Sequence, residues 1–370
     1  MNPVPFSSPV RTIPFLEGKS MADSLHHTSG RRATSRRRFL GRMGRGAVAG
    51  SLGGALLAGA SAAAEKPEGR VRRRPLGKTG LEVSEIGFGG HSWAYPRVPD
   101  GKGDWRRVSV DEAVEMLTAG LDLGVNFIDA CTPHEEHTTP GAALKRLGRR
   151  DELVVSARLC HKMKGREEDK AEVFKFVDER LAMWGIEHFD LLMLSNTEND
   201  TKLSGLWDMS YSIEALEKVK KQGKVRFAGF GSHFTPKGFL YAFQHYAEAF
   251  DVCSMPYNVR HRAAEEVMPL AKKAGLGVVT IKPFARGSLL KGRDLEGAEA
   301  GLPRDMIAFV LQNEHLDVCI CGVHTVARVK ENFSASWRGL SDEARQRLED
   351  LAAATPCPDH RWLEEGWLYV

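Results

Sequence analysis

From Val83 onward, short apolar runs alternate with longer segments in which apolar residues recur every three or four positions. The runs fall at 83–89, 125–130, 153–158, 189–194, 225–230, 251–255, 276–281 and 317–322. Between them the spacing predicts helices. Ser109 with Glu112 three residues on predicts a capping box, and Val114, Leu117 and Leu121 line one face of the helix it opens. Val173, Phe176, Val177 and Leu181 stripe a second helix, and Leu216 and Val219 mark a third that Gly223 closes. Eight strands alternating with helices predict an α/β fold, a (β/α)8 TIM barrel. An open doubly wound sheet is the alternative, but no G-x-G-x-x-G follows the first run. Residues 72–84 break the alternation. Their Gly77-Lys78-Thr79-Gly80 turn between short apolar pieces predicts an N-terminal β-hairpin ahead of the barrel.

Charge changes the picture at one end only. The 370 residues carry a formal +4. Residues 1–64 hold nine Lys and Arg against Glu17 and Asp23, a net +7, so the remainder sits near −3. A near-neutral body gives no electrostatic case for nucleic acid. Within the leader, Ser35-Arg36-Arg37-Arg38-Phe39-Leu40 precedes a soft Gly/Ala-rich run from Gly46 to Ala64 that ends in small residues. That order of basic, mildly apolar and small-residue zones resembles a twin-arginine export signal. The resemblance implies an encounter with export machinery, a periplasmic location and transport in the folded state, often with a cofactor aboard. No run of strongly apolar residues is long enough for stable membrane insertion. Three regions result: a signal and disordered leader at 1–64, a barrel over 70–350, and a tail at 351–370 packing on it.

Chemistry concentrates around Gly124-Val125-Asn126-Phe127-Ile128-Asp129-Ala130, where an apolar run ends in an acid. In a parallel barrel that end of the strand faces the reaction. Here the residues acquire a family likeness. Arg74-Pro75-Leu76-Gly77-Lys78-Thr79-Gly80-Leu81-Glu82-Val83-Ser84 resembles the opening hairpin of the aldo-keto reductases. Leu123 to Ala130 resembles their second strand, Lys224 to Gly231 their fifth, and Gly322 through Glu331-Asn332 their eighth strand and following helix. The likeness implies a nicotinamide cofactor, NADP or NAD, laid across the barrel mouth, with a small carbonyl or alcohol as substrate.

The family works with Asp, Tyr, Lys and His, and the match implies a role for each position here. Asp129 keeps the aspartate. The tyrosine place holds His134, the lysine place Arg158 and the histidine place Ser195. A histidine can give or take a proton near neutral pH. Arg158 retains the positive charge and a fork that suits a carboxylate, while Ser195 offers a single hydroxyl. Asp129 and Arg158 read equally well as a structural ion pair. For the cofactor, Glu331 and Asn332 fall where the family meets adenine, with Thr325 and Arg328 near the adenosine phosphate. Arg286-Gly287-Ser288-Leu289 resembles the pyrophosphate loop. The amide-binding pair falls on Gly231 and Ser232, the glutamine of strand six on Ser254, and the stacking aromatic on Ile281. The adenosine end is kept and the reacting end altered.

A competing constellation lies in the same loops: His91, His134, His137, His161, His233 and His324, joined by Cys131, Glu135 and Glu136. Imidazole and carboxylate suit zinc or iron. However, His134-Glu135-Glu136-His137 lacks the helical H-E-x-x-H spacing, and no metal ligand is assigned. Cys319 and Cys321, two apart on one strand, read as buried thiols on one face. Three functions follow: a nicotinamide-linked oxidoreductase, a non-catalytic binding protein on the same barrel, or a metal-dependent enzyme using the histidine-rich mouth.

Overall fold

The computed structural model describes residues 69–94, 98–99, 104–130, 138–160, 165–196, 208–232 and 236–354. The expectations for the leader, for His134 and its neighbours, for His161 and His233, and for the tail beyond 354 lie outside those residues. In chain order come β1 (Arg73–Pro75), β2 (Glu82–Ser84), β3 (Ile86–Phe88), α1 (His91–Ala94), β4 (Val98–Pro99), β5 (Trp105–Arg106), α2 (Val110–Asp122) and β6 (Phe127–Ala130). Then follow α3 (Thr138–Leu147), β7 (Val154–Cys160), α4 (Glu167–Trp184), β8 (Phe189–Asn196), α5 (Ser210–Lys221), β9 (Val225–Ser232) and α6 (Pro236–Tyr246). The last are β10 (Val252–Pro256), α7 (Met268–Lys273), β11 (Gly277–Ile281), α8 (Leu302–Leu311), β12 (Val318–Cys321), α9 (Val326–Phe333), α10 (Ala335–Arg338) and α11 (Asp342–Ala354).

Strands β3, β6, β7, β8, β9, β10, β11 and β12 hydrogen-bond in that order, all parallel, and β12 returns to β3. The closed eight-stranded barrel with helices between strands is a (β/α)8 TIM barrel. Each predicted run contributes one strand. The first run is divided: its beginning joins the β1–β2 hairpin and its end becomes β3, with Glu85 at the break. Glu85 is fully buried, yet its carboxylate accepts bonds from Arg72 Nε at 2.7 Å, Arg74 Nε at 2.8 Å and Ser336 Oγ at 2.7 Å. A buried charge persists only when paired in this way.

The hairpin seals the barrel's amino-terminal end. Leu76 and Val83 join the interior cluster of Phe127, Val154, Leu191, Met193, Val252, Val279, Ile281, Val318 and Ile320. At the hairpin turn Gly77 has φ +50°, and a Cβ there would come within 2.2 Å of Gly277 N. Only glycine permits so close a seat against β11. A second hydrophobic layer fills the space between strands and helices. The predicted helix faces supply it. Val173, Val177 and Leu181 of α4 and Leu216 and Val219 of α5 are all buried. The predicted capping box is present on α2, and its Glu112, bonded to Arg106, is held down at a pKa of about 2.

The amino-terminal rim shows a device that repeats on alternate strands. At the start of β6, Asn126 Oδ1 accepts the Ser84 N–H at 2.7 Å. In β8, Asp190 Oδ2 accepts the Val155 N–H at 2.9 Å. Asp251 before β10 accepts the Ala228 N–H at 3.0 Å, and Asp317 before β12 accepts the Val278 N–H at 2.8 Å. Each polar side chain satisfies an amide of an earlier strand, the hairpin's β2 for Asn126 and the neighbouring β7, β9 and β11 for Asp190, Asp251 and Asp317. Asp190 also holds Arg150 at 2.8 Å and Arg226 at 2.6 Å.

Candidate active site

Strand parity carries the polar residues into the barrel. Phe127, Val154, Leu191 and Val252 all point inward. Side chains repeat on one face every two residues, so Asp129, Ser156, Arg158, Ser195 and Ser254 point inward as well, nearer the carboxyl ends. The register places Asp129 beside Ser156, Ser195 beside Gly231, and Gly231 beside Ser254. These five side chains form a polar layer resting on the apolar interior, and all are buried. A barrel's chemistry is expected at this end.

Arg158 occupies the middle of the layer. Its Nη2 donates to Ser254 Oγ at 3.1 Å, and its Nε lies 3.9 Å from Asp129 Oδ2. The guanidinium therefore does not fork onto Asp129. It passes β8 and β9 to reach β10. Gly231 clears the path: a Cβ there would stand 3.1 Å from Arg158 Nη1. Burial raises the Asp129 pKa, and the Arg158 charge and a Ser156 hydrogen bond oppose that rise. Asp129 Oδ1 and Ser195 Oγ have no hydrogen-bond partner among the described residues.

The residues expected to hold a dinucleotide lie on the loops and helix beyond β11 and β12. The segment after β11 is strained. Lys282, Ala285 and Arg286 have positive φ (64°, 45° and 60°), as does Gly287. Left-handed non-glycine residues each cost about 1–3 kcal/mol and cluster at functional loops. Ser288 donates to Ala285 O at 2.8 Å and Leu289 is buried, which fixes the bend. Gly322 opens onto space a Cβ would enter freely. Thr325 caps α9 through the Arg328 N–H at 3.2 Å. Arg328 itself is engaged: Nη1 binds Glu331 at 2.8 Å, and Nη2 binds Leu295 O at 2.9 Å and the Glu296 carboxylate. Asn332 is buried, with an Oδ1 that no described residue satisfies. Ser232 ends β9.

Sequence reasoning missed three features of this end. Ser156 carries a signal, because it shares parity with Arg158 in Val154-Val155-Ser156-Ala157-Arg158. Glu296 carries none, since nothing in the loop marks it as the mate of Arg328. The third is Asn258, whose Oδ1 accepts the Arg260 and His261 amides while Nδ2 donates to Lys282 O at 3.0 Å. It ties the loop after β10 to the loop after β11. Burial, with the Lys282 charge, lowers the neighbouring His261 to a pKa of about 4. Of the histidines suspected as ligands, His324 Nδ1 lies 3.4 Å from Ser92 O. Among the described residues no group of three or more His, Cys, Asp or Glu could hold a metal ion. Cys319 and Cys321 are buried, with thiol pKa values pushed up by burial.

Comparison with known proteins covers this site and most of the barrel. Residues 85–353 match the model of the aldo/keto reductase family. The L-galactose dehydrogenase of Arabidopsis thaliana is 25% identical over 323 residues, covering 76% of this chain and 94% of that protein. The pyridoxine 4-dehydrogenase of Escherichia coli is 26% identical over 283 residues, covering 73% of this chain and 95% of that protein. Among solved structures, an aldo-keto reductase of Bacillus halodurans in its holo form superposes with a TM-score of 0.58 at 24% identity, over 79% of this chain and 100% of that one.

Proposed function

The chain belongs to the aldo/keto reductase family, and from that premise we propose that it is a nicotinamide-linked oxidoreductase of small carbonyl or alcohol substrates with an altered set of reacting groups. One observation carries the reading: the buried layer of Asp129, Ser156, Arg158, Ser195 and Ser254 at the carboxyl end of the barrel. Titratable and hydroxyl groups collected at that end, with Asp129 shifted upward by burial, are the pattern of a reaction site. Two relatives named as dehydrogenases support the reaction class.

The adenosine half of a dinucleotide suits the loops beyond β11 and β12. Asn332 keeps a buried Oδ1 that no described residue satisfies and that an adenine amine would complete. Gly322, Thr325 and Glu331 would meet the adenosine half, Arg286 to Leu289 would cradle the pyrophosphate, and Ser232 and Ser254 would meet the nicotinamide end. When bound, this cofactor supplies or accepts the hydride. His134 takes the tyrosine's part, giving a proton to the carbonyl oxygen in reduction and removing it from the alcohol in oxidation. Imidazole exchanges protons near neutral pH without the tuning a phenol needs. Asp129 and Arg158 set the charge of the buried layer, and Ser195 is the hydroxyl left to orient the carbonyl.

The twin-arginine-like Ser35 to Leu40 supports export to the periplasm, with the cofactor held tightly enough to travel inside the folded barrel. A panel of aldehydes, ketones and alcohols assayed with both nicotinamide couples tests the reading. Turnover that disappears in His134→Ala supports it, and turnover unchanged by that substitution removes His134 from the mechanism. A second reading, a ligand-binding barrel without catalysis, is favoured by the same sequence substitutions at three of the four family positions. It predicts dinucleotide binding with no turnover on any substrate.

A further inference from the structure

The segment after β11 is held in a costly backbone shape. Lys282, Ala285 and Arg286 are left-handed, at φ 64°, 45° and 60°. Non-glycine residues stay in that region only where their surroundings fix them. One fixing contact comes from the loop after β10. Backbone pairing of the two strands ends with the Tyr257 N–H, which donates to Ile281 O at 3.1 Å. The Asn258 side chain carries the link one residue further, its Nδ2 donating to Lys282 O at 3.0 Å. Lys282 O is the same carbonyl that accepts the Ala285 N–H, at 3.0 Å, and so closes the turn from Lys282 to Ala285. Asn258 is itself immobilised. It is fully buried, its Oδ1 accepts the Arg260 and His261 amides at 3.0 and 2.9 Å, and its N–H donates to His261 O at 3.2 Å. Beyond the turn, the Gly287 N–H donates to Phe284 O and Ser288 Oγ to Ala285 O, each at 2.8 Å, while the Arg286 side chain is exposed.

We infer that Asn258 is a positioning residue for anion binding: by holding Lys282 left-handed, it sets the loop from Arg286 to Leu289 in the form that takes the second phosphate of a dinucleotide. The inference rests on the nicotinamide-linked reading above and adds to it a residue outside the loop. A loop already in its binding shape spends none of the ligand's binding energy on ordering. A loop released from Asn258 has to re-enter three left-handed conformations when the anion arrives. The part of Asn258 that does this is its Nδ2 donor. Aspartate has the same shape and accepts the same two amides, but it turns an acceptor toward an acceptor at Lys282 O.

ADP and AMP differ by one phosphate and serve as the probes. Calorimetric titration of the full chain with each gives the ratio of their dissociation constants. Native protein is expected to bind ADP about tenfold tighter than AMP, or more. In Asn258→Asp that advantage is expected to shrink to about threefold or less, while AMP holds its value. Asn258→Ser adds no charge and is too short to reach Lys282 O, and it is expected to give the same loss. Where Asn258→Asp does not fold, Asn258→Ser decides. A ratio that Asn258→Ser does not move overturns the inference, because a loss confined to Asn258→Asp reports only charge repulsion. Equal weakening of ADP and AMP also overturns it, since a general loosening of the fold does that. Native protein that binds the two nucleotides equally overturns it without any variant. In each of these cases NADH binding leaves the nicotinamide-linked reading intact. Folded native protein that binds none of ADP, AMP and NADH overturns both.

Discussion

Arg158 Nη2 lies 3.1 Å from Ser254 Oγ, so one side chain ties β7 to β10 past the two strands between them. The same guanidinium stands 3.9 Å from Asp129 Oδ2, and all three residues are buried. Removing the charge while keeping the length, as in Arg158→Met, leaves Asp129 without its main counter-charge. Taking away one partner of a buried pair costs about 3–5 kcal/mol. That loss is expected in urea unfolding at neutral pH. It shrinks toward acid, because the raised Asp129 pKa lets the carboxyl become neutral early. A variant as stable as the native protein at pH 7 would mean that Asp129 is already uncharged.

Arg328 is bound by Glu331, Glu296 and the Leu295 carbonyl. A guanidinium flanked by two carboxylates has little attraction left for a ribose 2′-phosphate, and the carboxylates repel it. NADPH is therefore expected to bind no more tightly than NADH. Glu296→Gln is expected to strengthen NADPH several-fold while leaving NADH unchanged, with the gain falling as salt rises. Calorimetry with both cofactors at two ionic strengths checks this. A native preference for NADPH would show that Arg328 leaves Glu296 for the phosphate.

Asp190 sits at the opposite end of the barrel. It accepts the Val155 amide and pairs with Arg150 and Arg226. Asp190→Ala is expected to cost about 3–5 kcal/mol in unfolding free energy by stranding those donors. Dinucleotide affinity should not change, because the site is at the other rim. A variant that lost binding while keeping its stability would contradict this division of the barrel.

His261 contributes a pH dependence of known sign. Its pKa falls from 6.5 to about 4 in the fold, because burial and the Lys282 charge oppose protonation. Between those values the unfolded chain holds a proton that the fold does not, so stability drops as pH falls from 6.5 toward 4. The slope is at most about 1.4 kcal/mol per pH unit for one group. His261→Gln should flatten melting temperature against pH in that window alone. An unchanged profile would place the acid sensitivity on another group.

The architecture was largely legible because its signals are local. Seven of the eight apolar runs, the Ser109–Glu112 box and the Gly77 turn each depend on neighbours a few residues away, and each forms as expected. The break at Glu85 was not legible, since its partners Arg72, Arg74 and Ser336 converge only after the barrel closes. The rim staples had a trace in sequence: Asn126, Asp190, Asp251 and Asp317 each stand at the start of an apolar run. At the site, strand parity could have added Ser156 to Asp129 and Arg158. The pairing of Arg158 with Ser254 spans 96 positions, and that of Arg328 with Glu296 joins a helix to an irregular loop. Neither has a periodic signature, so a fork onto Asp129 and an arginine free for a phosphate were the natural expectations from spacing alone.

The central claim is that this barrel holds a nicotinamide dinucleotide. It is tested most directly by titrating the purified full chain with NADH and following calorimetric heat. The account predicts saturable binding with a dissociation constant on the order of micromolar or tighter, weakened when Asn332→Ala removes the buried Oδ1. Absence of binding, by protein whose cooperative unfolding shows an intact fold, would contradict it.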